Sequence, residues 1–448
     1  MAEQFFEEID VYEQQGSFGG VWNYSPIGSN DPKAVPQTDP HQPLEIPKWS
    51  CKKRQGDDVK PLFVTPMYDG LETNIPNVLM EHSDDPSLRN HQLFPTRETV
   101  LDYLEDYAKS IKGLVHFENQ VSDVRLQTFC GQDQWLVSSQ ALRTGLTRTK
   151  SYDAILVANG HYGIPYVPNI KGIGDWHLAN PGVISHSKFY RNPAVYDGKK
   201  TVVVGYAASG IDITSQISTK ARLPILVSRR SISYLAFPAS YVQDVPEIVE
   251  FLTEDKGKRA VRFADGRVES DVDAVLFCTG YLYSYPFLPS LKPQVITTGE
   301  RVEHLYKHIF YVENPTLAFV GLPVRVIPFP TFEGQASVIA KVWARRLELP
   351  STTAMQTWEN SAVEKQGPGR EFHVLDFPKD LDYHNEMVDW AFQTSHPKFG
   401  RIPPKWTAKE NWIRERFPAI KRAFVDRGDR RHTIQGMEEL GFDYSYKE

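Results

Sequence analysis

Two stretches far apart in this chain are written to one pattern. Asp153-Ala-Ile-Leu-Val-Ala-Asn-Gly160-His161 and Asp273-Ala-Val-Leu-Phe-Cys-Thr-Gly280-Tyr281 each run from an acidic residue through a short apolar strand to two small or polar residues, a glycine and a ring. A continuous apolar strand suits a parallel sheet covered on both faces. Its closing glycine lets the backbone turn sharply at the carboxyl end of the strand, where open α/β sheets bind ligands. Two copies predict an α/β fold with two dinucleotide-binding, Rossmann-like domains. The second begins near Lys200 and lies inside the first, which resumes near Gly280.

A chain of 448 residues has room for two or three such domains and their cores. Its 50 basic and 56 acidic side chains leave a net charge of −6, so bulk electrostatics give no case for nucleic acid or a membrane surface as partner. Cys51, Cys130 and Cys278 are too few and too scattered for a disulfide framework or a metal site, and no metal is expected. The acidic start, Met1-Ala-Glu-Gln-Phe-Phe-Glu-Glu, lacks the basic and apolar regions of a signal peptide. No apolar stretch approaches the roughly 18–20 residues of a membrane helix. The expectation is a cytoplasmic protein without a membrane anchor.

Ile9-Asp10-Val11-Tyr12-Glu13 reads as the second strand of a dinucleotide-binding domain, with an acidic residue at its end. Such a strand follows a first strand, a G-x-G-x-x-G turn and a helix. The eight residues before Ile9 hold none of these, so the first strand of that domain is expected to be absent. Prolines 32, 36, 40, 43 and 47 make the stretch from Pro26 to Pro66 an ordered surface excursion. Val100, Tyr103, Leu104, Tyr107 and Ile111 fall at helical spacing and predict a helix over Thr99–Lys112. Alternation around 121–127 and 134–139 predicts antiparallel strands.

Lys200-Thr-Val-Val-Val204 runs into Gly205-Tyr206-Ala207-Ala208-Ser209-Gly210 and then a helical pattern through Ile213 and Ile217. That is a strand–turn–helix whose first helical amides could receive a pyrophosphate. Gly205 would serve the tight turn and Gly210 the close helix–strand packing, while Ala207 stands where the middle glycine is usual. An ordinary βα turn fits the same pattern. The next strand, Pro224–Ser228, ends in Arg229-Arg230, where an NAD site would carry an acidic residue. Ser228 and Arg229 offer a hydroxyl and a guanidinium suited to a 2′-phosphate, which favours NADP over NAD. Glu13 occupies the corresponding ribose position of the first domain, which points to FAD or NAD there. Gly19-Gly20 could bring backbone against a cofactor or form a plain loop. Asn74 could equally be a turn residue before Pro76. Gly182-x-x-x-His186-x-x-x-Tyr190 brings no metal partner, and no G-x-S-x-G elbow occurs, so redox chemistry carried by cofactors is the natural reading.

In combination these motifs resemble the flavin-containing monooxygenases, most closely the soluble fungal type. The residues that carry the resemblance are Glu13 with Gly19-Gly20-Val21-Trp22-Asn23-Tyr24, Leu71-x-Thr73-Asn74-x-Pro76, Phe94-Pro95, and Ala158-Asn159-Gly160-His161-Tyr162. They continue through the segment from Gly182 to Tyr190, Phe277-Cys278-Thr279-Gly280-Tyr281, Gly321-Leu322-Pro323, Ile327-Pro328-Phe329-Pro330 and Gln335-Ala336. The signature around His186 separates this family from other two-dinucleotide flavoproteins. Asn180 replaces its usual leading aromatic, and Tyr190-Arg191 stands where Baeyer–Villiger relatives have Trp-Pro.

The resemblance implies an FAD-binding domain over residues 1–180, an inserted NADP-binding domain over 181–280, and the rest of the FAD domain with a C-terminal helical region over 281–448. It implies a monooxygenase of the N,N-dimethylaniline type: NADPH reduces FAD, O2 forms a flavin hydroperoxide, and a small sulfur or nitrogen nucleophile takes one oxygen atom. Asn74 would sit beside the flavin and nicotinamide as the catalytic side chain. Glu13 would bond the FAD ribose, with Gly20, Trp22, Thr73, Thr279 and Gly280 against the cofactors and Gln335 near the flavin ring. Gly205, Ala207, Ser209 and Gly210 would frame the NADP pyrophosphate, and Ser228 and Arg229 would hold the 2′-phosphate. His186 and Tyr190 would link the domains. A homodimer is left open. Two rivals remain: an amine N-hydroxylase of the same superfamily, and a non-catalytic NADP-binding remnant that follows from the absent FAD turn.

Overall fold

The computed structural model describes residues 6–26, 34–50, 59–230, 238–253, 258–393 and 400–444. Met1–Phe5 and Cys51, both weighed above, lie outside them.

The centre of the molecule is a five-stranded, wholly parallel sheet in the order Ile184–His186, Ala274–Phe277, Lys200–Val204, Arg222–Ser228, Val242–Val245. Its central strands Ala274–Phe277 and Lys200–Val204 are largely apolar and buried because both faces are covered. Val202, Val275 and Phe277 pack with Trp176, Phe251 and Phe263 on one side. Val203 and Leu276 pack with Ile213, Ile217, Tyr68 and Tyr190 on the other. The helix Ala208–Ile217 returns across this second face, burying Gly210, Ile213, Thr214 and Ile217. A small antiparallel sheet, Ile248–Leu252, Ala260–Phe263 and Val268–Glu269, extends the unit.

On either side of this unit in the chain, Ile155–Val157 and Leu317–Phe319 pair in parallel with each other. Leu317–Phe319 is joined by Phe310–Tyr311 and Leu305–Tyr306. Val11–Glu13 forms a parallel pair with Val115–Phe117. Among the described residues it has no strand on its other edge, nor does Ile155–Val157. The long antiparallel strands Asn119–Phe129, Gln132–Ala141 and Thr147–Tyr152 sit beside this region. Their extent exceeds the sequence expectation because the hairpin continues past its buried half into solvent, where alternation fades.

The helix expected over Thr99–Lys112 is α-helical over Arg97–Ala108, and Lys109–Leu114 tightens into a 3-10 turn. The Thr96 hydroxyl accepts from Thr99 N and starts the helix earlier than the apolar spacing suggests. C-terminal helices Pro328–Trp343, Thr352–Gln366, Lys379–Phe392 and Ala408–Val425 complete the fold. The last begins with a Thr407–Glu410 capping box and places Arg414 in a buried ion pair with Asp380 at 2.6 Å. Among the described residues no helix is long and apolar enough to cross a membrane, and no group of His, Cys, Asp and Glu is arranged to hold a metal ion.

Candidate functional site

The strand ends of both parallel units open onto one cleft of about 3500 Å³. A site for a single small ligand takes roughly 300–1,000 Å³. The volume therefore exceeds the need of any one small ligand, and residues of both Val11–Glu13 and Ile155–Val157 are among its lining.

At the inserted sheet, Lys200–Val204 ends in Gly205 at φ +90°, a left-handed conformation that L side chains rarely adopt. A Cβ at Gly205 would lie 2.7 Å from the Cys278 carbonyl oxygen, and one at Gly210 only 2.4 Å from the Gly205 oxygen. The two glycines thus let strand, turn and helix close on each other. Ala207 precedes the helix in an extended conformation, and no side chain caps the helix start. The first amide donors are therefore open and carry the positive end of the helix dipole at the cleft, where Ala207 and Ser209 form part of the wall. This fits an anionic pyrophosphate.

Ser228 and Arg229 follow on the neighbouring strand and also line the cleft. The Ser228 hydroxyl donates to the Pro246 carbonyl at 3.0 Å, so its proton is engaged and only its lone pairs remain. The Arg229 guanidinium pairs with Asp244 and lies 5.4 Å from the centre of the Tyr206 ring. It is a fixed cation beside the turn, with donors left over after a single carboxylate contact.

On the opposite side, Glu13 ends its strand and accepts from the Gln15 backbone N–H at 2.8 Å. Burial pushes its carboxyl above the usual range, against the pull of the Gln15 and Gln14 amides. Gly19 has φ +99°, and a Cβ there would collide with Leu101 at 2.2 Å. Gly20 faces open space, with nothing within 4 Å of where a Cβ would stand. The Asn23 amide holds the loop by donating to Phe18 O at 2.7 Å, and Trp22 packs beside Met80, Leu88, Val100 and Tyr103. An acceptor at the strand end and an open backbone at Gly20 fit the ribose and phosphate side of a second dinucleotide.

Thr73 and Asn74 also line the cleft. Thr73 is buried: its N–H donates to Pro95 O at 2.9 Å and its hydroxyl to Ile75 O at 2.8 Å. The half-buried Asn74 amide has no hydrogen-bond partner among the described residues, and it lines the cleft. The turn before Pro76 is therefore held by Thr73, and the Asn74 donors stay free for a ligand.

Thr279 and Gly280 close the inserted sheet at the cleft. Gly280 has φ +78°; its carbonyl accepts from Tyr166 N at 2.9 Å and from His186 Nε2 at 3.0 Å. Because His186 Nδ1 accepts from Lys188 N at 3.1 Å, its single proton sits on Nε2, and burial holds the ring neutral down to about 3. Tyr190 donates to Gln216 at 3.1 Å, on the inserted helix.

Gln335, which the resemblance sets near the flavin ring, is not among the residues that line the cleft. It is fully buried, its carbonyl accepts from Gly321 N at 3.0 Å, and its amide donates to Tyr383 at 2.8 Å. It stands off the cleft wall and pins the Gly321 turn instead. Gly210 also lies behind the wall, as its packing role requires. The pattern missed Arg370, whose guanidinium donates to Thr279 O at 3.2 Å and lies 3.8 Å from the centre of the Tyr166 ring. It also missed Lys421, which donates to Thr73 O at 2.8 Å. Neither carries a local signal, because each reaches the site from a distant helical segment.

Residues 63–243 and 236–376 match the flavin-binding monooxygenase-like family. The chain is 32% identical over 402 residues to a thiol-specific monooxygenase of Saccharomyces cerevisiae, covering 85% of this chain and 79% of that protein. It is 30% identical over 431 residues to the flavin-containing monooxygenase FMO GS-OX-like 7 of Arabidopsis thaliana, with 90% and 86% covered. The solved structure of S-allyl-L-cysteine S-oxygenase from Allium sativum superimposes with a TM-score of 0.72 at 25% identity, over 96% of this chain and 91% of that one. These matches favour neither the N-hydroxylase nor the remnant. With two parallel units opening on one cleft and the family's residues running through both, the chain belongs to the flavin-containing monooxygenase family.

Proposed function

We propose that this protein oxygenates small sulfur- or nitrogen-containing nucleophiles with O2, using NADPH and FAD. Sulfur is the preferred class, because two of the relatives above are named for a thiol and for an S-oxygenase reaction. The observation that carries the reading is the convergence of three features on one cleft: the uncapped helix start at Ala207, the strand-end carboxylate of Glu13, and the free amide of Asn74. When bound, FAD supplies the two-electron chemistry by which O2 is divided between substrate and water, with NADPH as electron source.

The chain's own residues bind, orient and exclude water. Residues 181–280 take NADP: Gly205 and Gly210 let the turn approach the pyrophosphate, Ala207 and Ser209 present backbone amides, and Arg229 faces the 2′-phosphate. Ser228 assists only as an acceptor or through its backbone. Residues 1–180 and 281–448 take FAD, with Glu13 on the ribose and Gly20, Trp22 and Thr73 beside the cofactor. Thr279 and Gly280 form the wall between the two cofactors. Asn74 donates its amide toward the reacting centre, where a neutral donor stabilises developing negative charge without giving up a proton. Gln335 acts from behind, by holding the turn at Gly321. His161 and His186 bring no positive charge to the site near neutral pH, since desolvation holds them uncharged down to about 4 and about 3.

The test is visible absorbance of the purified protein with FAD supplied, followed by NADPH and then air in the presence of a thioether. Flavin bands that bleach and return, together with sulfoxide in the extract, are expected. Flavin that cycles while only a primary amine is hydroxylated would overturn the sulfur reading.

A further inference from the structure

The backbone beneath the cleft is held from two sides by charged residues outside every cofactor motif. Lys421, on the C-terminal helix Ala408–Val425, extends its ammonium to the Thr73 carbonyl at 2.8 Å and lies 3.7 Å from Glu72. Glu72 is itself fixed by Arg431 at 3.1 Å and Gln92 at 3.3 Å. From the other side, Asp212, on the inserted helix Ala208–Ile217, accepts from the Tyr68 hydroxyl at 2.5 Å and from Gln216 at 3.0 Å. The Gln216 amide also donates to the Gly70 carbonyl at 3.0 Å, and Gly70 packs so closely there that a Cβ would meet Gln216 at 3.1 Å. Segment 68–73 is therefore bonded to two helices that have no sequence proximity to it or to each other. Lys421 and Asp212 also attract one another.

We propose that Lys421 and Asp212 are positioning residues that clamp segment 68–74, so that Asn74 presents its amide at a set place between the two cofactor ends. The inference rests on the reading of Asn74 as the catalytic side chain. Its physical basis is the cost of the arrangement: burial disfavours the charge on both groups, pushing the Lys421 ammonium below and the Asp212 carboxyl above their usual ranges. The Lys421 ammonium lies 4.7 Å from the centre of the Phe94 ring and 5.4 Å from that of Phe424, where a Met or Leu of similar size could fill the space. What an apolar side chain cannot do is bond the Thr73 carbonyl. The clamp also joins the inserted helix, whose first turn faces the NADP pyrophosphate in our reading, to the segment bearing Asn74.

Backbone hydrogen exchange over residues 68–75 tests the clamp without any cofactor, with thermal melting as the global control. Lys421→Met should speed exchange of the Thr73 amide about tenfold or more while exchange in the Lys200–Val204 strand stays unchanged, and Lys421→Arg should restore the slow rate. Asp212→Asn should speed exchange at 68–71. If Asp212→Asn unfolds the protein, Gln216→Leu, which removes only the Gly70 bond and one Asp212 contact, reads the same segment. Unchanged rates at 68–75, or acceleration spread evenly through the molecule, would overturn the proposal. In the flavin-loaded protein Lys421→Met should lower kcat with little change in KM for NADPH. Asn74→Ala is the separate control on the underlying reading: full turnover there would remove Asn74 from catalysis, while the exchange rates would still decide whether the clamp exists.

Discussion

The repeated strand pattern lives in two different environments. Ala274–Phe277 is buried along its whole length, with Lys200–Val204 on one side and Ile184–His186 on the other. Ile155–Val157, its counterpart, pairs only with Leu317–Phe319, and Leu156 is 42% exposed where Leu276 is 0%. Val11, in the parallel pair with Val115–Phe117, is 36% exposed. The apolar run is the same, but burial is a property of the neighbours. A strand of this type gains its full stabilisation only when flanked on both edges and covered on both faces.

The largest expected effect comes from the flanked unit, at Gly210→Val. Its side chain would meet the Gly205 carbonyl, so a loss of about 3 kcal/mol or more and of NADP+ binding is expected by denaturation and titration.

A matched pair reads the difference itself. Leu276→Ala should cost about 2–4 kcal/mol, whereas Leu156→Ala, with no enclosed cavity to leave, should cost less than about 1 kcal/mol. Similar costs would mean that Ile155–Val157 is covered in solution.

The smallest effect concerns how the opening strand is anchored. Asp10 accepts from Lys150 at 2.6 Å, Tyr152 at 2.6 Å and His116 at 2.7 Å. Burial alone would raise its pKa, but these hydrogen bonds outweigh it and hold the carboxyl well below the usual range. The folded pKa lies below the unfolded value of about 3.9, so the contribution is complete above that value and is lost as pH falls through the folded one. Screened by solvent, it should amount to about 1 kcal/mol. Denaturation from pH 7 toward acid should show this decline in the parent and its absence in D10N.

Much of the cleft was legible in the residues because its chemistry is local. Gly205, Ala207, Ser209 and Gly210 owe their places to a strand–turn–helix contained in a short stretch, and Glu13, Ser228 and Arg229 to strand ends. Gln335 marks the reach of the same kind of reading. Its position on the helix Pro328–Trp343 was clear, but which way its amide turned depended on Gly321 and Tyr383, from other parts of the chain. Ser228 shows a milder form, since its hydroxyl is engaged by a carbonyl many residues onward. Lys421 and Arg370 were invisible for that reason alone.

What the order of residues determines unaided is the periodic and the local: two parallel-sheet units, their glycine turns, the open helix start, and through them the family. Backbone conformation and apolar alternation act over a few neighbouring residues and leave a readable pattern. Which strand edges meet, which side chains reach the cleft, and what holds the segment bearing Asn74 were decided only when distant segments packed. Hydrogen bonds and burial depend on separation in space, and that is set by the assembled fold.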